Sequence, residues 1–341
     1  MYLKDLVDIQ MGQSPDSKFY NYDKIGLPFY QGKADFGRIN PTPKIWCSKS
    51  KKEAKPNDIL ISVRAPVGDL NINNEQSCIG RGLAAITCRP DVDMMYLYYY
   101  LKYLKPQLKH ISTGSTFESI NRTQLENLII NYKPYLEQIK ISNILQVVER
   151  QIEVKENLLR WYDLLVKSRF VEMFEVFNIN PNNYNTIKFK DLIERNNINE
   201  EDKVWLLNLD MIKPNTGEIV EKVYINRQNI PASSISFKKG TVLYSKLRPY
   251  LNKVVIADEN GYGTSELIPL NSYKNGLTAE YLAYYLRQDS FVDYIKDKVT
   301  GAKMPRVAMD ILRNIDIIQP NYIYQEQFSS FVNHVNKLKF D

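Results

Sequence analysis

The sequence feature that most constrains this chain is an internal repeat within its 341 residues. The segments NDILISVRAP, which contains Ser62, and GTVLYSKLRP, which contains Ser245, lie about 183 residues apart. Five further matches keep the same order with similar offsets: LKDLVDI with FKDLIER, YLYYYL with YLAYYL, STGSTFESI with VTGAKMPRV, LENLIINYKP with LRNIDIIQP, and EQI at Glu137 with EQF at Glu326. A period of about 185 residues is far longer than that of a solenoid, so it indicates the duplication of a whole domain.

Each copy predicts an α+β domain. Strands and loops with glycine and proline punctuation come first, a tyrosine-rich helix follows, and a glycine turn leads to a final strand. We expect the helices at about residues 94–108 and 279–297, and the final strands within NLIINYKP and NIDIIQP. The fold class is therefore α+β, with two duplicated mixed domains.

The segment between the two copies predicts one long helix. Residues 135–174 contain neither glycine nor proline, and a helix of about 40 residues spans roughly 60 Å at about 1.5 Å per residue. Apolar residues at alternating spacings of four and three predict a coiled-coil face that binds a partner helix. This face consists of Ile141, Leu145, Val148, Ile152, Leu159, Val166 and Met173.

The second copy ends with a shorter helix of the same kind. Phe328, Val332 and Val335 continue the apolar pattern, and the chain stops at Asp341. We expect a truncated second helix, which a second copy of the chain or a separate peptide would complete as a helical pair.

Composition excludes several classes of protein. The net charge of +6 and the isoelectric point of about 8.9 permit nucleic-acid binding without establishing it. No apolar run approaches the ~18 residues of a membrane span, and the first residues do not resemble a signal peptide. Cys47, Cys78 and Cys88 form no C-x-x-C pair, so we expect no zinc site and reduced cysteines in a cytoplasmic protein.

Catalytic motifs are missing from the sequence. There is no P-loop, no dinucleotide-binding glycine motif and no G-x-S-x-G elbow. Glu53-Ala54-Lys55 and Glu153-Val154-Lys155 have the letters of a nuclease motif, but both are interpreted as solvated faces. These absences favour a binding protein. Two alternatives remain open: a nuclease or fused modification enzyme with unrecognised motifs, and a scaffold that binds only protein through its helix.

The strand motifs of both copies resemble those of one family. DILISVRAPVGDLNI and CIGRGLAAI in the first copy, and VLYSKLRPYLNKVVIA, GTSELIPL and TGAKMPRV in the second, resemble the specificity subunit of type I restriction-modification systems. The resemblance covers essentially the whole chain. It implies a first target-recognition domain at residues 1–134, a conserved spacer helix at 135–178, a second target-recognition domain at 179–320 and the truncated conserved helix at 321–341.

The resemblance implies recognition of a bipartite double-stranded DNA target by a chain that is not itself an enzyme. Each domain would read one half of the site, and the helices would dock two methyltransferase subunits and a restriction subunit that also translocates DNA. S-adenosylmethionine, ATP and Mg²⁺ would be bound by those partners, so no cofactor or metal is expected in this chain. The short final helix departs from the family, in which the second conserved helix is long enough to pair with the first.

Polar and basic loop residues are the candidates for DNA contact, because Lys and Arg bind phosphates while Arg, Lys, Asn and Gln read base edges. The candidates in the first domain are Gln13, Ser14, Lys18, Gln31, Lys33, Arg38, Arg64, Arg81, Ser115 and Thr116. Those in the second domain are Lys213, Arg227, Lys246, Arg248, Lys303 and Arg306. Arg64 and Arg248 both adjoin the repeated strand motif, and a position shared by both copies suits scaffold or phosphate contact, since the half-sites should differ. The tyrosines at 96–100 and 281–285 could stack on bases, but their helical spacing favours the core.

Overall fold

The structure of the chain is a computed structural model that describes residues 1–112, 118–194, 198 and 202–339. Contacts divide the chain into two compact units, Met1–Val154 and Lys155–Asp341. The division falls inside the long helix, so each unit contains part of that helix. Within the described residues, no helix is both long enough and apolar enough to cross a membrane.

The described part of unit 1 begins with strands and ends with helices. In chain order these are β1 (Val7–Met11), β2 (Tyr20–Asn21), β3 (Leu27–Tyr30), β4 (Ile45–Cys47), β5 (Glu53–Ala54), β6 (Ile59–Ser62), β7 (Leu70–Ile72), β8 (Ser77–Ile79), β9 (Leu83–Cys88), α1 (Met94–Tyr103), α2 (Lys105–Ile111), α3 (Arg122–Glu126) and the first part of α4 (Tyr135–Phe174). An antiparallel sheet has the order β1-β9-β6-β7, and a mixed sheet has the order β2-β4-β3-β8-β5. Helices α1, α2 and α3 pack on the antiparallel sheet, with Leu97, Leu101 and Leu108 fully buried.

Unit 2 repeats this plan after the second part of α4. Its further elements are β10 (Asn185–Lys188), α5 (Phe189–Leu192), β11 (Lys203–Leu207), β12 (Val223–Asn226), β13 (Ile235–Phe237), β14 (Val242–Ser245), β15 (Val254–Ile256), β16 (Gly261–Gly263), β17 (Leu267–Leu270), α6 (Ala279–Arg287), α7 (Asp289–Lys296), β18 (Val299–Thr300), β19 (Arg306–Val307), α8 (Met309–Arg313), β20 (Asp316–Gln319) and α9 (Tyr322–Leu338). The described strands form sheets in the orders β12-β11-β16-β13, β15-β14-β17, β10-β20 and β18-β19. The expected α+β class is confirmed, because each unit combines small sheets with packed helices.

A buried glutamine near the start of α4 ties that helix to the rest of unit 1. Gln138 is fully buried. Its Oε1 accepts a hydrogen bond from the N–H of Asp93 at 2.9 Å, and its Nε2 donates to the carbonyls of Lys133 at 2.7 Å and Asp91 at 3.2 Å. A buried amide needs such partners, because each unsatisfied polar group costs about 1–3 kcal/mol.

The same arrangement recurs in unit 2. Gln325 of α9 is fully buried. Its Oε1 accepts from the N–H of Thr278 at 3.0 Å, and its Nε2 donates to the carbonyls of Pro320 at 2.8 Å and Gly276 at 3.2 Å. The two sets of partners differ in number by 185 or 187, which confirms the duplication at the level of individual hydrogen bonds. The match of EQI at Glu137 with EQF at Glu326 is therefore wrong by two residues, because the hydrogen bonds show that Gln138 corresponds to Gln325.

The tyrosine-rich helix predicted in each copy is broken in two. In unit 1 the break is at Leu104, between α1 and α2, where Pro106 occupies a first-turn position of α2. Proline has no N–H and is tolerated in the first turn of a helix, so it favours a new start there. In unit 2 the break is at Gln288, whose ψ of 139° is not helical.

The final strand is also unequal in the two copies. In unit 2, β20 pairs with β10 over four residues. In unit 1 the equivalent segment forms an isolated bridge between Tyr2 and Ile129 rather than a strand. The prediction of a strand within NLIINYKP is therefore wrong in its extent, because only a single bridge forms in this segment.

Helix α9 is part of the core of unit 2. Phe328 packs edge-on against Phe170 and Phe174 of α4, with ring centroids 5.2 and 5.7 Å apart, and Val332 and Val335 are also buried. Burying one such side chain stabilises a fold by about 1.5–3 kcal/mol. Phe328, Val332 and Val335 therefore contact their own unit, which corrects the expectation that they bind another chain.

The apolar face predicted on α4 has a buried part and an exposed part. Val166 is fully buried in unit 2, which again corrects its assignment to a partner interface, while Ile141 and Met173 are partly buried. The members that remain exposed, by 37–53%, are Leu145, Val148, Ile152 and Leu159. These four residues are called the exposed α4 face below.

Candidate nucleic-acid interface

Unit 1 has a surface cleft of about 510 Å³ that brings distant parts of the sequence together. The chain after β1, the end of β3, the loop after β6 and the loop between β8 and β9 all contribute to it. The candidate residues that line it are Ser14, Gln31, Lys33, Arg64 and Arg81. Half of the ten candidates of the first domain thus share one site.

A close approach of two backbones forms part of this cleft. A Cβ atom added to Gly82 would lie 2.3 Å from the carbonyl oxygen of Gln31. Backbone cannot rotate out of the way as a side chain can, so glycine is required here. The N–H of Arg81, the preceding residue, donates to Oγ of Ser14 at 3.3 Å. These contacts hold the loop between β8 and β9 against the end of β3.

Arg64 and Arg81 bring positive charge to the cleft. Both side chains are exposed, and neither has an ion-pair partner in the part of the chain that the structure describes. The backbone of Arg64 forms an isolated bridge with Ser119, and the neighbouring carbonyl of Val63 accepts from the N–H of Ile120 at 2.9 Å. The backbone is therefore fixed beneath a free guanidinium, an arrangement that suits contact with an anion.

Lys33 is different because its charge is partly neutralised. Its Nζ lies 2.8 Å from Oδ2 of Asp69, which also pairs with Lys105. Burial raises the pKa of the Asp69 carboxyl, but the two ammonium groups outweigh burial and lower its pKa below the ordinary value. Lys33 therefore carries less uncompensated positive charge than Arg64 or Arg81.

The other candidates of the first domain lie outside this cleft. The N–H of Gln13 donates to a strand carbonyl while its side chain is exposed. Lys18 pairs with Asp16 at 3.4 Å, and Arg38 pairs with Glu153 of α4 at 2.7 Å. Arg38 thus contacts the helix within unit 1. Ser115 and Thr116 lie outside the described residues.

Four candidates of the second domain lie on two neighbouring segments. The hairpin of β18 and β19 and the loop after β14 are joined by hydrogen bonds from the N–H of Arg248 to the carbonyl of Pro305 at 2.8 Å and from the N–H of Val307 to the carbonyl of Lys246 at 3.1 Å. The candidates on these segments are Lys246, Arg248, Lys303 and Arg306. Arg248 and Lys303 are exposed, so this end of unit 2 is positively charged.

Arg306 makes a two-point ion pair with Glu266. Its Nε donates to Oε1 and Oε2 of the carboxylate at 2.9 and 3.1 Å, and its Nη2 donates to Oε1 at 2.8 Å. The hydrogen bond with Glu266 raises the pKa of the guanidinium further. Sequence reasoning missed Glu266, although it lies within the repeated motif GTSELIPL.

The two remaining candidates lie on other segments of unit 2. Lys213 pairs with Glu218 at 2.7 Å across a turn. Arg227 directly follows β12, and its N–H donates to the carbonyl of Asp202 at 3.0 Å. Neither residue belongs to the hairpin of β18 and β19 or to the loop after β14.

Backbone contacts establish which residues correspond between the two units. Arg64 forms an isolated bridge with Ser119, and Leu247 forms one with Arg306. Arg64 therefore corresponds to Leu247, and Arg248 corresponds to Ala65. The interpretation of Arg64 and Arg248 as one shared position is wrong, because the arginines are displaced by one residue along the loop.

The loop before β9 in unit 1 and the loop before β17 in unit 2 also carry different side chains at equivalent positions. The carbonyl of Gly82 accepts from the N–H of Val63 at 2.9 Å, and that of Glu266 accepts from the N–H of Lys246 at 3.0 Å. Gly82 thus corresponds to Glu266, and Arg81 corresponds to Ser265. The two units share these main-chain hydrogen bonds and differ in the side chains that surround them.

One tyrosine of α1 and one of α6 have equivalent structural partners. The hydroxyl of Tyr96 donates to the carbonyl of Asn131 at 2.5 Å, and that of Tyr281 donates to the carbonyl of Ile318 at 2.8 Å. Both rings are buried. This agrees with their interpretation as core residues rather than stacking partners of bases.

The segments with the letters of a nuclease motif form no acidic cluster. Glu53 of β5 accepts hydrogen bonds from Ser50 and Gln76, and these bonds lower the pKa of its carboxyl. Glu153 pairs with Arg38. Among the described residues, no group of three or more His, Cys, Asp or Glu side chains is placed to hold a metal ion.

Comparison with known sequences gives matches to type I restriction specificity proteins. Residues 1–160 match the sequence model of the type I restriction modification DNA specificity domain. A segment covering 43% of the chain is 45% identical to a protein described as the specificity subunit of type I restriction enzyme MjaX from Methanocaldococcus jannaschii, and the match covers 35% of that protein. The chain thus spans about a third of the length of this relative.

Two further matches extend over almost the whole chain. The specificity subunit of type I restriction enzyme MjaIX, also from Methanocaldococcus jannaschii, is 23% identical over 97% of this chain and 84% of its own length. The crystal structure of a type I restriction-modification system S subunit from M. genitalium covers 99% of this chain and 89% of its own, with a TM-score of 0.58 and 14% identity. This likeness in structure shows the fold.

Proposed function

We propose that this protein recognises a bipartite double-stranded DNA target, because residues 1–160 match the sequence model of the type I restriction modification DNA specificity domain and almost the whole chain is similar to a type I restriction enzyme specificity subunit. Each unit reads one half of the target. One observation carries this proposal: equivalent backbone positions of the two units present different side chains. Two readers with one framework and different surfaces suit a target whose halves differ in sequence.

Phosphate contacts in unit 1 are assigned to Arg64 and Arg81. Both are exposed guanidinium groups without an ion-pair partner among the residues described. Such groups displace the counterions of DNA and provide affinity that depends on salt rather than on sequence. Gln31 and Ser14 in the same cleft carry neutral donors and acceptors, which suit contacts with base edges.

Three other basic candidates are less suited to bind phosphates, because they already form ion pairs within the chain. Lys18, Arg38 and Lys213 each engage a carboxylate of the chain itself. An existing ion pair must be broken or shared before such a residue binds a phosphate. Arg248 and Lys303 carry no such constraint and are the phosphate ligands that we assign to unit 2.

We assign catalysis to partner subunits and recognition to this chain. The exposed α4 face offers apolar surface for those partners, with Val148 and Ile152 exposed by 45% and 53%. Apolar side chains that recur along an exposed helix typically mark an interface with another protein. The partners proposed are two methyltransferase subunits, which carry S-adenosylmethionine, and a restriction subunit, which carries ATP and Mg²⁺.

Selection from randomised duplexes tests the proposal. The purified chain is incubated with a library of double-stranded DNA, with and without an adenine methyltransferase subunit, and the bound fraction is sequenced. The expected result is enrichment of two short motifs at a fixed separation, strengthened by the partner. Enrichment of a single continuous motif, or of none, would contradict the proposal.

A further inference from the structure

Glu266 fixes the guanidinium of Arg306 in one orientation. The contacts are side-on: Nε and Nη2 engage the carboxylate at 2.8–3.1 Å. An arginine has five N–H donors in a planar fork, so Nη1 and the second hydrogen of Nη2 remain at the far end of the group. The side chain is 41% exposed, whereas that of Glu266 is 19% exposed. The free end of the fork is therefore accessible while the carboxylate is largely covered.

The backbone beneath this pair is held from two sides. Arg306 lies in β19 opposite Thr300 of β18, and it forms an isolated bridge with Leu247 of the loop after β14. The carbonyl of Glu266 accepts from the N–H of Lys246 at 3.0 Å. Recognition of one base requires donors placed to within about 0.5 Å. Both members of the ion pair therefore stand on backbone that hydrogen bonds hold to neighbouring segments.

We propose that Arg306 reads a guanine in the half-site of unit 2 and that Glu266 is its positioning residue. The inference rests on the proposed function and names one base contact within it. Two parallel N–H donors at the end of a guanidinium match O6 and N7 of guanine in the major groove. A two-stranded ribbon such as the hairpin of β18 and β19 is narrow enough to enter that groove.

The charge of the pair favours a base over a phosphate as its ligand. A guanidinium paired with a carboxylate is neutral overall, so it adds little to the attraction for the DNA backbone. The carboxylate would also repel a phosphate that approached from its side. Arg248 and Lys303, which are exposed and carry no such partner among the described residues, are better suited to phosphates.

The described part of unit 1 has no counterpart of this pair. Serine and glycine, Ser119 and Gly82, stand at the positions of Arg306 and Glu266. The contact with guanine is therefore specific to the half-site of unit 2. A change in either member of the pair should alter one half of the target and leave the other half as it is.

The test repeats the selection from randomised duplexes with three variants of the full chain. Arg306→Lys retains the charge but loses the planar fork, and Glu266→Gln weakens the positioning contact. Arg313→Lys is the matched control, since Arg313 is an exposed arginine of unit 2 that pairs with Asp310 at 3.6 Å. Thermal unfolding of each variant shows whether it is folded.

The wild type and Arg313→Lys are expected to enrich the same split motif with one strongly preferred guanine. Arg306→Lys should reduce that preference by roughly tenfold or more, and Glu266→Gln should reduce it less. The other half of the motif should not change. A uniform loss of affinity for all sequences would identify Arg306 as a phosphate ligand and overturn the inference, as would an unchanged motif.

The same data separate this inference from the proposed function. Absence of a split motif with the wild type contradicts the proposed function itself. A split motif that Arg306→Lys leaves intact contradicts the assignment of Arg306 alone. If Glu266→Gln fails to fold, Glu266→Asp replaces it, because aspartate keeps the carboxylate. An unchanged preference for guanine in Glu266→Asp supports the positioning role of Glu266. Loss of folding in both variants contradicts that role.

Discussion

Gln138 and Gln325 make the same three hydrogen bonds in the two units, one accepted through Oε1 and two donated through Nε2. Each joins a helix to the residues just before that helix and to the turn before the tyrosine-rich helix. The partners are backbone groups in every case, so the bonds do not depend on the side chains of those residues. The two units therefore share this contact in addition to the backbone contacts that establish which of their residues correspond.

The first prediction concerns the stability of unit 1. Gln138→Ala removes the partners of three buried backbone groups, and it should lower the free energy of unfolding of unit 1 by about 2–4 kcal/mol. Gln146→Ala is the matched control, because Gln146 is an exposed residue of the same helix. Hydrogen exchange by mass spectrometry measures each unit separately. Equal protection of unit 1 in both variants would contradict the structural role of Gln138.

A second prediction follows from the unpaired charges of the cleft. Replacement of Arg64 or Arg81 by Gln should lower affinity for all duplexes alike, and each phosphate that is no longer bound should reduce the slope of log K against log salt by about 0.9. Arg122→Gln serves as the control, since Arg122 already pairs with Glu126 at 2.7 Å. Fluorescence anisotropy at several salt concentrations provides the slopes. A change in preferred sequence with an unaltered slope would instead indicate that these residues read bases.

The third prediction concerns the close approach at Gly82. Gly82→Ala forces apart two backbone segments, so it should destabilise the protein by about 1–3 kcal/mol and weaken DNA binding. Gly32→Ala is the control within the same cleft, because a Cβ there would meet no atom within 4 Å. Chemical denaturation and binding assays compare the two. Similar behaviour of both variants would show that the loop can move without cost.

A fourth prediction is a dependence on pH that originates at Asp69. Burial opposes ionisation of this carboxyl, but Lys105 and Lys33 lower its folded pKa below the ordinary value of about 3.9. The ion pairs therefore stabilise the fold at pH values above about 4, and this contribution is lost as the pH falls from there through the folded pKa. Asp69→Asn should be less stable than the wild type near neutral pH, and the difference should shrink in acid. Denaturation at a series of pH values measures it, and a difference that is constant with pH would count against the ion pairs.

The last prediction addresses the exposed α4 face. Val148→Glu should weaken association with a methyltransferase subunit by roughly tenfold or more, since burying one apolar side chain contributes about 1.5–3 kcal/mol. Arg150→Glu introduces the same acidic side chain at an exposed position two residues away, outside that face. Isothermal titration calorimetry gives the two affinities. Equal losses for both variants would indicate a non-specific effect of charge.

The sequence was sufficient for the duplication and for the long helix. Both depend on patterns that local chemistry enforces, such as the run without Gly or Pro from Tyr135 to Phe174. The breaks at Leu104 and Gln288 were not predicted, although Pro106 is a local signal for a new helix start in unit 1. The burial of Phe328 in its own unit was not predicted either, since its apolar spacing fits a partner chain and its own core equally well.

The candidate site shows the same limit. Basic residues in loops could be named from the sequence, but their partners could not. Glu266 and Arg306 are 40 residues apart, and the backbone contacts of the loop after β14 bring them together. Arg64 and Arg248 both adjoin the repeated strand motif, but the offset of 183 residues between Ser62 and Ser245 places Leu247 opposite Arg64, and the bridges that each loop forms confirm this.

The correspondence of Gly82 with Glu266 has a consequence for how such a protein can change over generations. The hydrogen bond that holds each loop comes from the main chain, and it is the same whether the residue is a glycine or a glutamate. At Glu266 this bond does not depend on the side chain, so substitutions there can accumulate without breaking it, whereas the close contact with the carbonyl of Gln31 forbids them at Gly82. If each unit reads one half of the target, as proposed, a substitution at Glu266 alters one half-site and leaves the other unchanged, so a new combination of half-sites requires no new fold.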